Sequence, residues 1–417
     1  MSTRRTFVDR SRTITYQLCP RKRYLEYHAA GGVGIVRSRT AIPLATGSYT
    51  HAGLKLMLEG HPVEECVQAA LEGYDEAIRG RGLEIEPGMD AFQVAEEQKA
   101  LVAGLLRVYY VHPRGYPDLV ANYDILEVER EDLVRDFAQG IDFGARADGL
   151  LREKATGDLY VLSFKTAARW DSRVDRQNQH DVQGLSEVMA IERRLGEKLQ
   201  GVKMVYLIKG DRREYPEDSG LYAQDSHLVR GWRREGITGP EYAWRYKWAG
   251  PDVWQDSGKL RGHTLGKGWE RFNVWETEGG VKAWIDLLAS GTVQPDAGDP
   301  FENVVVTPLP YFRQQQDMES WEIQTRAQEV KVAKDVAEIN ELVGDHQRVA
   351  LDVCFPQYKR SCDWPSKCDY QEICYGDDSA LTNPIGTGLY QLRTVNHPTE
   401  QDYLDGVGKS PSVPNCP

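Results

Sequence analysis

The stretch from Tyr123 to Lys209 constrains the fold most, because its apolar pattern changes from strand to helix periodicity and back. Three segments, "YDILEVERE", "IDFGARADGLLRE" and "DLYVLSFKT", have the alternating or continuous apolar character of strands. The last two are separated by "KATGD", whose Gly157 and Asp158 suit a turn. A helix over about 176–195 and a buried strand "GVKMVYLIKG" follow. This order predicts an α/β core with a mixed sheet.

The rest of the chain divides around this core. Its 417 residues are enough for one large domain or two ordinary ones. Residues 1–122 are interpreted as a helical N-terminal part and 123–210 as the core. Residues 211–300, which contain seven of the ten tryptophans, are interpreted as an insertion. Residues 301–376 hold a strand, a long charged helix and a cysteine cluster, and 377–417 predict a loosely ordered tail.

The charge balance limits the classes of partner. The 51 basic and 63 acidic residues give a net charge of −12, which argues against nonspecific coating of nucleic acid or anionic membrane by the whole surface. No apolar run is long enough to span a bilayer, and the basic N-terminus lacks the apolar segment of a signal peptide. We therefore expect a cytoplasmic protein with no membrane partner.

Two polar residues mark the core as a place for chemistry. Asp148 lies on "GARADGLL", and the neighbouring strand ends on Lys165 after a hairpin short enough to bring both side chains to one site. Phosphodiester hydrolysis needs a hard oxygen ligand for a divalent metal and a cation that stabilises charge on phosphorus. Taken alone, the pair is also what a structural ion pair at a strand edge would show.

Further motifs stand in a fixed order along the chain. "CPRKRYLEY" comes first, then "GSYTH", then Asp148, then "FKT", then glutamines on the next helix. This order resembles the RecB-like branch of the PD-(D/E)XK nuclease superfamily, which includes the CRISPR adaptation exonucleases and the AddB recombination nucleases. The resemblance covers about residues 13–58, 123–210 and 350–375. The tryptophan-rich middle is unmatched.

The resemblance implies a fold, an activity and a set of roles. The fold would be a restriction-endonuclease-like core, with a mixed central sheet flanked by helices. The activity would be that of a Mg²⁺- or Mn²⁺-dependent DNA exonuclease in DNA processing or recombination, with recombination or repair proteins as partners. His51 and Asp148 would hold the metal ion and Lys165 would assist the attacking water. Gln183 is the best match for the family's helical glutamine, and Gln179 is a weaker one.

Ser163 departs from this pattern, because the family has Asp or Glu at its position. A neutral hydroxyl is a poorer ligand for a hard dication than a carboxylate. Three interpretations stay open. The carboxylate is supplied by Glu127, Glu129 or Glu187; the metal relies on His51, Asp148 and the backbone carbonyl of Phe164; or the site has decayed into a DNA-binding or scaffolding role. A buried lysine without a use would carry a desolvation cost, which favours activity.

The cysteines predict a second cofactor. Seven cysteines without an export signal favour metal binding over disulfides, and Cys362, Cys368 and Cys374 are separated by five residues each. Thiolates favour zinc or iron–sulfur clusters. The resemblance implies that Cys19 joins these three around a 4Fe-4S cluster that clips the two ends of the chain. A zinc site with Cys354 in place of Cys19 is the alternative.

A basic patch for DNA is expected near the N-terminus. The first 27 residues contain seven basic residues against two acidic ones, enough for several phosphate contacts. Arg21, Lys22 and Arg23 in this patch are the expected DNA-binding residues. A solvated helix face would have the same composition.

Overall fold

A computed structural model describes residues 5–85, 91–167, 182–209, 305–312, 314–362, 367–376, 383–395 and 397–405, with Val174 and short stretches between 230 and 291. Among these residues, no helix is both long and apolar enough to cross a membrane. The α-helices of the described part are α1 (Arg10–Leu18), α2 (Pro20–Tyr27), α3 (Ile42–Leu58), α4 (Val63–Gly80), α5 (Ala91–Val111), α6 (Tyr116–Asn122), α7 (Val182–Leu195), α8 (Gln315–Glu341), α9 (Gly344–Cys354), α10 (Gln371–Tyr375) and α11 (Pro398–Leu404).

The strands of the described part are β1 (Thr6–Asp9), β2 (Ile35–Arg37), β3 (Thr40–Ala41), β4 (Leu83–Glu84), β5 (Tyr123–Val128), β6 (Glu131–Ala138), β7 (Ile141–Arg146), β8 (Gly149–Glu153), β9 (Leu159–Ala167), β10 (Gly201–Ile208), β11 (Arg230–Gly236), β12 (Gly239–Trp244), β13 (Lys259–Leu260), β14 (His263–Thr264), β15 (Glu270–Asn273), β16 (Val305–Val306) and β17 (Tyr390–Leu392). They make the protein a mixed α/β fold, as the sequence predicted.

The central sheet has five strands in the order β16-β10-β9-β8-β5. Strands β9 and β10 run parallel, and α7 lies between them in the chain, while the other neighbours pair antiparallel. All eight residues of β10 are buried, which explains the unbroken apolar run of "GVKMVYLI". In β9 the residues from Leu159 to Phe164 are buried and those from Lys165 onward are partly exposed, so the strand leaves the core at Lys165.

The predicted strand "IDFGARADGLLRE" is wrong as a single element. The chain forms β7, bends at Ala147 and Asp148, and continues as β8. Strand β7 belongs to a separate three-stranded sheet of order β1-β7-β6, in which β1 pairs parallel with β7. Asp148 therefore lies at the point where the chain passes from one sheet to the other, and not within a strand.

The N-terminal part, which the sequence predicted to be helical, contains the long helices α3, α4 and α5, and Pro20 is the first residue of α2. These three long helices pack on one another and share one core with the central sheet. Among the residues that join helices and sheet in this core are Leu54, Leu106 and Phe164, each 2% exposed or less.

The expectation of a loosely ordered tail is wrong for residues 390–404. Strand β17 pairs antiparallel with β2, and α11 buries Glu400 and Tyr403. The aromatic ring of Tyr403 packs near that of Phe7 on β1, with ring centroids 5.7 Å apart. For the tryptophan-rich insertion, only the backbone of β11 to β15 and a few residues up to Gly291 are described; its tryptophan side chains lie outside the described residues.

Candidate active site

Helix α3 brings His51 to Asp148. His51 Nδ1 lies 3.3 Å from Asp148 Oδ1. A Cβ atom at Gly47 would lie 3.1 Å from Thr166 Oγ1, which is tighter than an ordinary contact, so the glycine allows α3 to pack closely on β9. Because residues four apart share one face of a helix, this close packing directs His51 toward the same strand. The spacing between Gly47 and His51 therefore has a structural reason.

Asp148 is anchored by the backbone of β9. Phe164 N–H donates a hydrogen bond of 2.6 Å to Asp148 Oδ2. The N–H and C=O of one residue in a strand point to the same side, so the Phe164 carbonyl also lies on the Asp148 side of β9. Burial acts to raise the pKa of Asp148, but hydrogen bonds from His51 and Phe164 N–H and the nearby Lys165 charge hold it below its ordinary value. Asp148 is therefore a carboxylate, the form that a dication requires.

Lys165 meets the first turn of α7. Its Nζ donates a hydrogen bond to Gln183 Oε1. The structure thus brings His51, Asp148, Lys165 and Gln183 to one edge of the central sheet. Gln179 lies outside the described residues.

Ser163 and Glu187 are the two buried polar side chains beside this group. Ser163 is 1% exposed and Glu187 is 3% exposed. Among the described residues, neither Ser163 Oγ nor Glu187 Oε2 has a hydrogen-bond partner. Burial raises the pKa of Glu187 to about 8, with Lys165 acting to lower it and Asp148 to raise it further. Burial of the Glu187 carboxyl therefore outweighs the stabilisation that Lys165 and a hydrogen bond with Gln183 give to its ionised form.

The other two candidate carboxylates have partners. Glu127 accepts hydrogen bonds from Arg194 Nη1 at 2.9 Å and Arg194 Nη2 at 2.5 Å, and one from Arg130 at 3.0 Å. Glu129 Oε2 lies 3.9 Å from Lys55 Nζ, and the Glu129 N–H bonds the Asp148 carbonyl oxygen at 3.2 Å. Glu127 is thus neutralised by arginines, whereas Glu129 borders the site. The sequence reasoning missed Lys55, although its position four residues after His51 was a usable signal.

The structure contradicts the prediction that Arg21 and Arg23 contact DNA, because both side chains are buried. Arg21 is 3% exposed, and it pairs with Asp352. The Arg23 side chain is fully buried, with Nη2 2.8 Å from Glu329 Oε2. Lys22 keeps 29% of its side chain exposed. Two of the three side chains therefore serve internal ion pairs, and only Lys22 faces solvent enough to contact a phosphate.

Four cysteines lie within electrostatic reach of one another where α2 meets the C-terminal cysteine segment. Burial raises the pKa of the Cys374 thiol to about 12, Arg21 acts to lower it, and Cys368, Cys19 and Cys362 act to raise it further. Ser361 Oγ donates to the carbonyl of Leu18, next to Cys19, at 2.8 Å. Cys354 instead lies against α8, where Asp335, Glu338 and Lys331 act on its pKa. The geometry thus groups Cys19, and not Cys354, with the three C-terminal cysteines.

Neither donor set is already closed around an ion. Within the described parts of the chain, no three His, Cys, Asp or Glu side chains are grouped tightly enough to hold a metal. The chemistry of the donors nevertheless fits. Four thiols suit an iron–sulfur cluster or zinc, and an ionised Asp148 beside His51 suits a divalent cation.

No protein-family model matches this sequence, and neither does any curated protein. An imidazole, a carboxylate, a backbone carbonyl and an ammonium group at one sheet edge combine cation ligands with a group that stabilises negative charge.

Proposed function

We propose that the protein is a metal-dependent nuclease of RecB-like type, with a restriction-endonuclease-like core, that hydrolyses phosphodiester bonds in DNA. The single observation that carries this proposal is the convergence of His51, Asp148 and Lys165 from α3, the β7–β8 bend and β9. These are the residues that the motif order singled out, and His51 lies 97 residues before Asp148 in the chain. A structural ion pair would account for Asp148 and Lys165 but not for His51.

Each residue has a role in this proposal. Asp148, His51 and the Phe164 carbonyl would hold Mg²⁺ or Mn²⁺, which would polarise a phosphate oxygen and activate water. In the hydrolysis, the water oxygen forms a bond to phosphorus, one P–O ester bond breaks, and the leaving oxygen gains a proton. The Lys165 ammonium stabilises the negative charge that builds on the phosphoryl oxygens. Gln183 holds the ammonium in place through its hydrogen bond.

A 4Fe-4S cluster on Cys19, Cys362, Cys368 and Cys374 is part of the proposal, with zinc as the alternative occupant. Its chemistry here would be structural, since it joins the first two helices to the C-terminal segment. The contacts of Ser361 and Arg21 already bring these two ends together. The nuclease core then lies between two crosslinked ends.

The test is degradation of end-labelled and internally labelled DNA with Mg²⁺, Mn²⁺ or EDTA. We expect metal-dependent cleavage that falls by about 100-fold or more in Lys165→Met. Lys154→Met is the matched control, because Lys154 is 44% exposed and lies on the β8–β9 hairpin of the same sheet. Cleavage that persists in EDTA, or that Lys165→Met leaves intact, would contradict the proposal.

A catalytically silent DNA-binding or scaffolding protein is the second candidate function. The observation that favours it is Ser163, a neutral residue 1% exposed where a strand carboxylate would complete the site. The variant Ser163→Asp separates the two functions. Higher cleavage in Ser163→Asp supports the enzyme, and DNA binding without cleavage by either protein supports the silent relative.

A further inference from the structure

The position of Glu187 follows from the register between α7 and β9. Helix α7 connects the parallel strands β9 and β10, so it runs antiparallel to β9. Gln183 on α7 bonds Lys165 on β9. Glu187 is four residues after Gln183, a distance of about 6 Å along the helix axis. Ser163 is two residues before Lys165, a distance of about 6.6 Å along the strand. Glu187 therefore lies opposite Ser163, on the strand face that also carries Lys165.

These facing positions hold the two unsatisfied buried oxygens at this site. Ser163 Oγ and Glu187 Oε2 have no hydrogen-bond partner among the described residues, although both side chains are at least nine-tenths buried. Native proteins leave few buried polar atoms unpaired, and each such atom has a free-energy cost. A bound cation would satisfy both the oxygen and the charge of Glu187.

The neighbouring charges point to the same place. Glu187 is within electrostatic reach of both Asp148 and Lys165. Glu127 is neutralised by Arg194 and Arg130, and Glu129 Oε2 lies 3.9 Å from the Nζ of Lys55 on α3. Of the three carboxylates, Glu187 alone combines burial with an unpartnered oxygen.

We propose that Glu187, reaching from α7, supplies the carboxylate that Ser163 does not, and that it binds the divalent cation together with Asp148. This inference rests on the proposed nuclease function, whose site it completes. The small Ser163 side chain leaves room on the strand for the longer arm of a glutamate from the helix. In this arrangement the carboxylate that binds the cation comes from helix α7 instead of strand β9.

The test is Mn²⁺ binding to the whole chain, measured by electron paramagnetic resonance of free Mn²⁺ in the absence of DNA. Glu187→Gln keeps the shape of the side chain and removes the carboxyl group that would bind the cation, and we expect it to weaken Mn²⁺ binding about tenfold or more. Glu127→Gln is the matched control and should bind as the wild type does. Ser163→Asp in the Glu187→Gln background should restore most of the affinity.

The outcomes separate this inference from the nuclease proposal. If wild type binds Mn²⁺ and Glu187→Gln binds it equally well, the inference is overturned, even where the DNA is cleaved. If Glu129→Gln loses binding and Glu187→Gln does not, it is overturned in favour of Glu129. Weakened binding in Glu187→Gln with rescue by Ser163→Asp supports it, even if wild type cleaves no DNA. Circular dichroism of each variant excludes loss of fold as the cause.

Discussion

Replacing Arg23 by Met should destabilise the protein, because Arg23 forms a buried ion pair with Glu329. Arg23 and Glu329 are 0% and 1% exposed, and their charged atoms are 2.8 Å apart. Arg23 Nε also donates a hydrogen bond of 3.1 Å to His28 Nε2, and the guanidinium carbon of Arg23 lies 5.4 Å from the ring centroid of Tyr27. Removal of one member of a buried pair leaves the other charge uncompensated, which costs about 3–5 kcal/mol.

The assay is urea unfolding of wild type, Arg23→Met, Glu329→Gln and the double variant Arg23→Met/Glu329→Gln. Each single variant should lose about 3–5 kcal/mol, and the double variant should lose less than the sum, because it leaves no unpaired charge. Lys22→Met is the neighbouring control. Its side chain is 29% exposed and 3.8 Å from Asp369, so the change should cost less than about 1 kcal/mol.

A DNA-binding role for Arg23 makes the opposite prediction. Loss of a phosphate contact would leave the unfolding midpoint unchanged and reduce the salt dependence of DNA binding by about one ion. The structural account is refuted if Arg23→Met unfolds at the same urea concentration as Lys22→Met. It is also refuted if the two single variants are fully additive, because the pair would then not interact.

Three further predictions concern other parts of the molecule. Burial and nearby arginines hold the pKa of His28 well below its ordinary value, so the unfolded chain takes up a proton that the folded chain excludes. Stability should therefore fall as the pH drops below about 6.5. The midpoint of urea unfolding should change less with pH in His28→Gln than in wild type. Gly47→Ala should lower the proposed nuclease activity by displacing α3 from β9, and Thr166→Ala, which removes the contacting oxygen, should restore it in the double variant. Anaerobically purified protein should contain iron with visible absorbance, lost in Cys374→Ser but retained in Cys354→Ser; zinc without iron would contradict the cluster.

The order of elements in the core was predictable because strands and helices have different apolar periods. The strand, helix and strand between Leu159 and Ile208 are confirmed as β9, α7 and β10. The break at Asp148 was missed, although Arg146 beside it is exposed and Asp148-Gly149 is a dipeptide that marks turns. A change of sheet depends on pairing with β1 and β9, which no local pattern records.

The candidate site was also predictable in part from the sequence. Asp148, Lys165 and His51 were found from their motif order, because each motif is a short run of neighbouring residues. The choice among Glu127, Glu129 and Glu187 required the structure, since it depends on which carboxylate finds a cation in space. Arg194 lies 67 residues from Glu127, and nothing in the sequence around either residue indicates that they pair.

The burial of the N-terminal arginines explains why a basic segment was mistaken for a nucleic-acid surface. Arg12 pairs with Glu400, Arg21 with Asp352 and Arg23 with Glu329, so each carboxylate lies more than 300 residues along the chain. A segment read by itself shows only the positive charges. Without the C-terminal region these guanidinium groups would be buried unpaired or left in solvent, and either state would weaken the packing of α1 and α2. Correct placement of Cys19 therefore depends on the chain's last quarter through ion pairs as well as through any cluster.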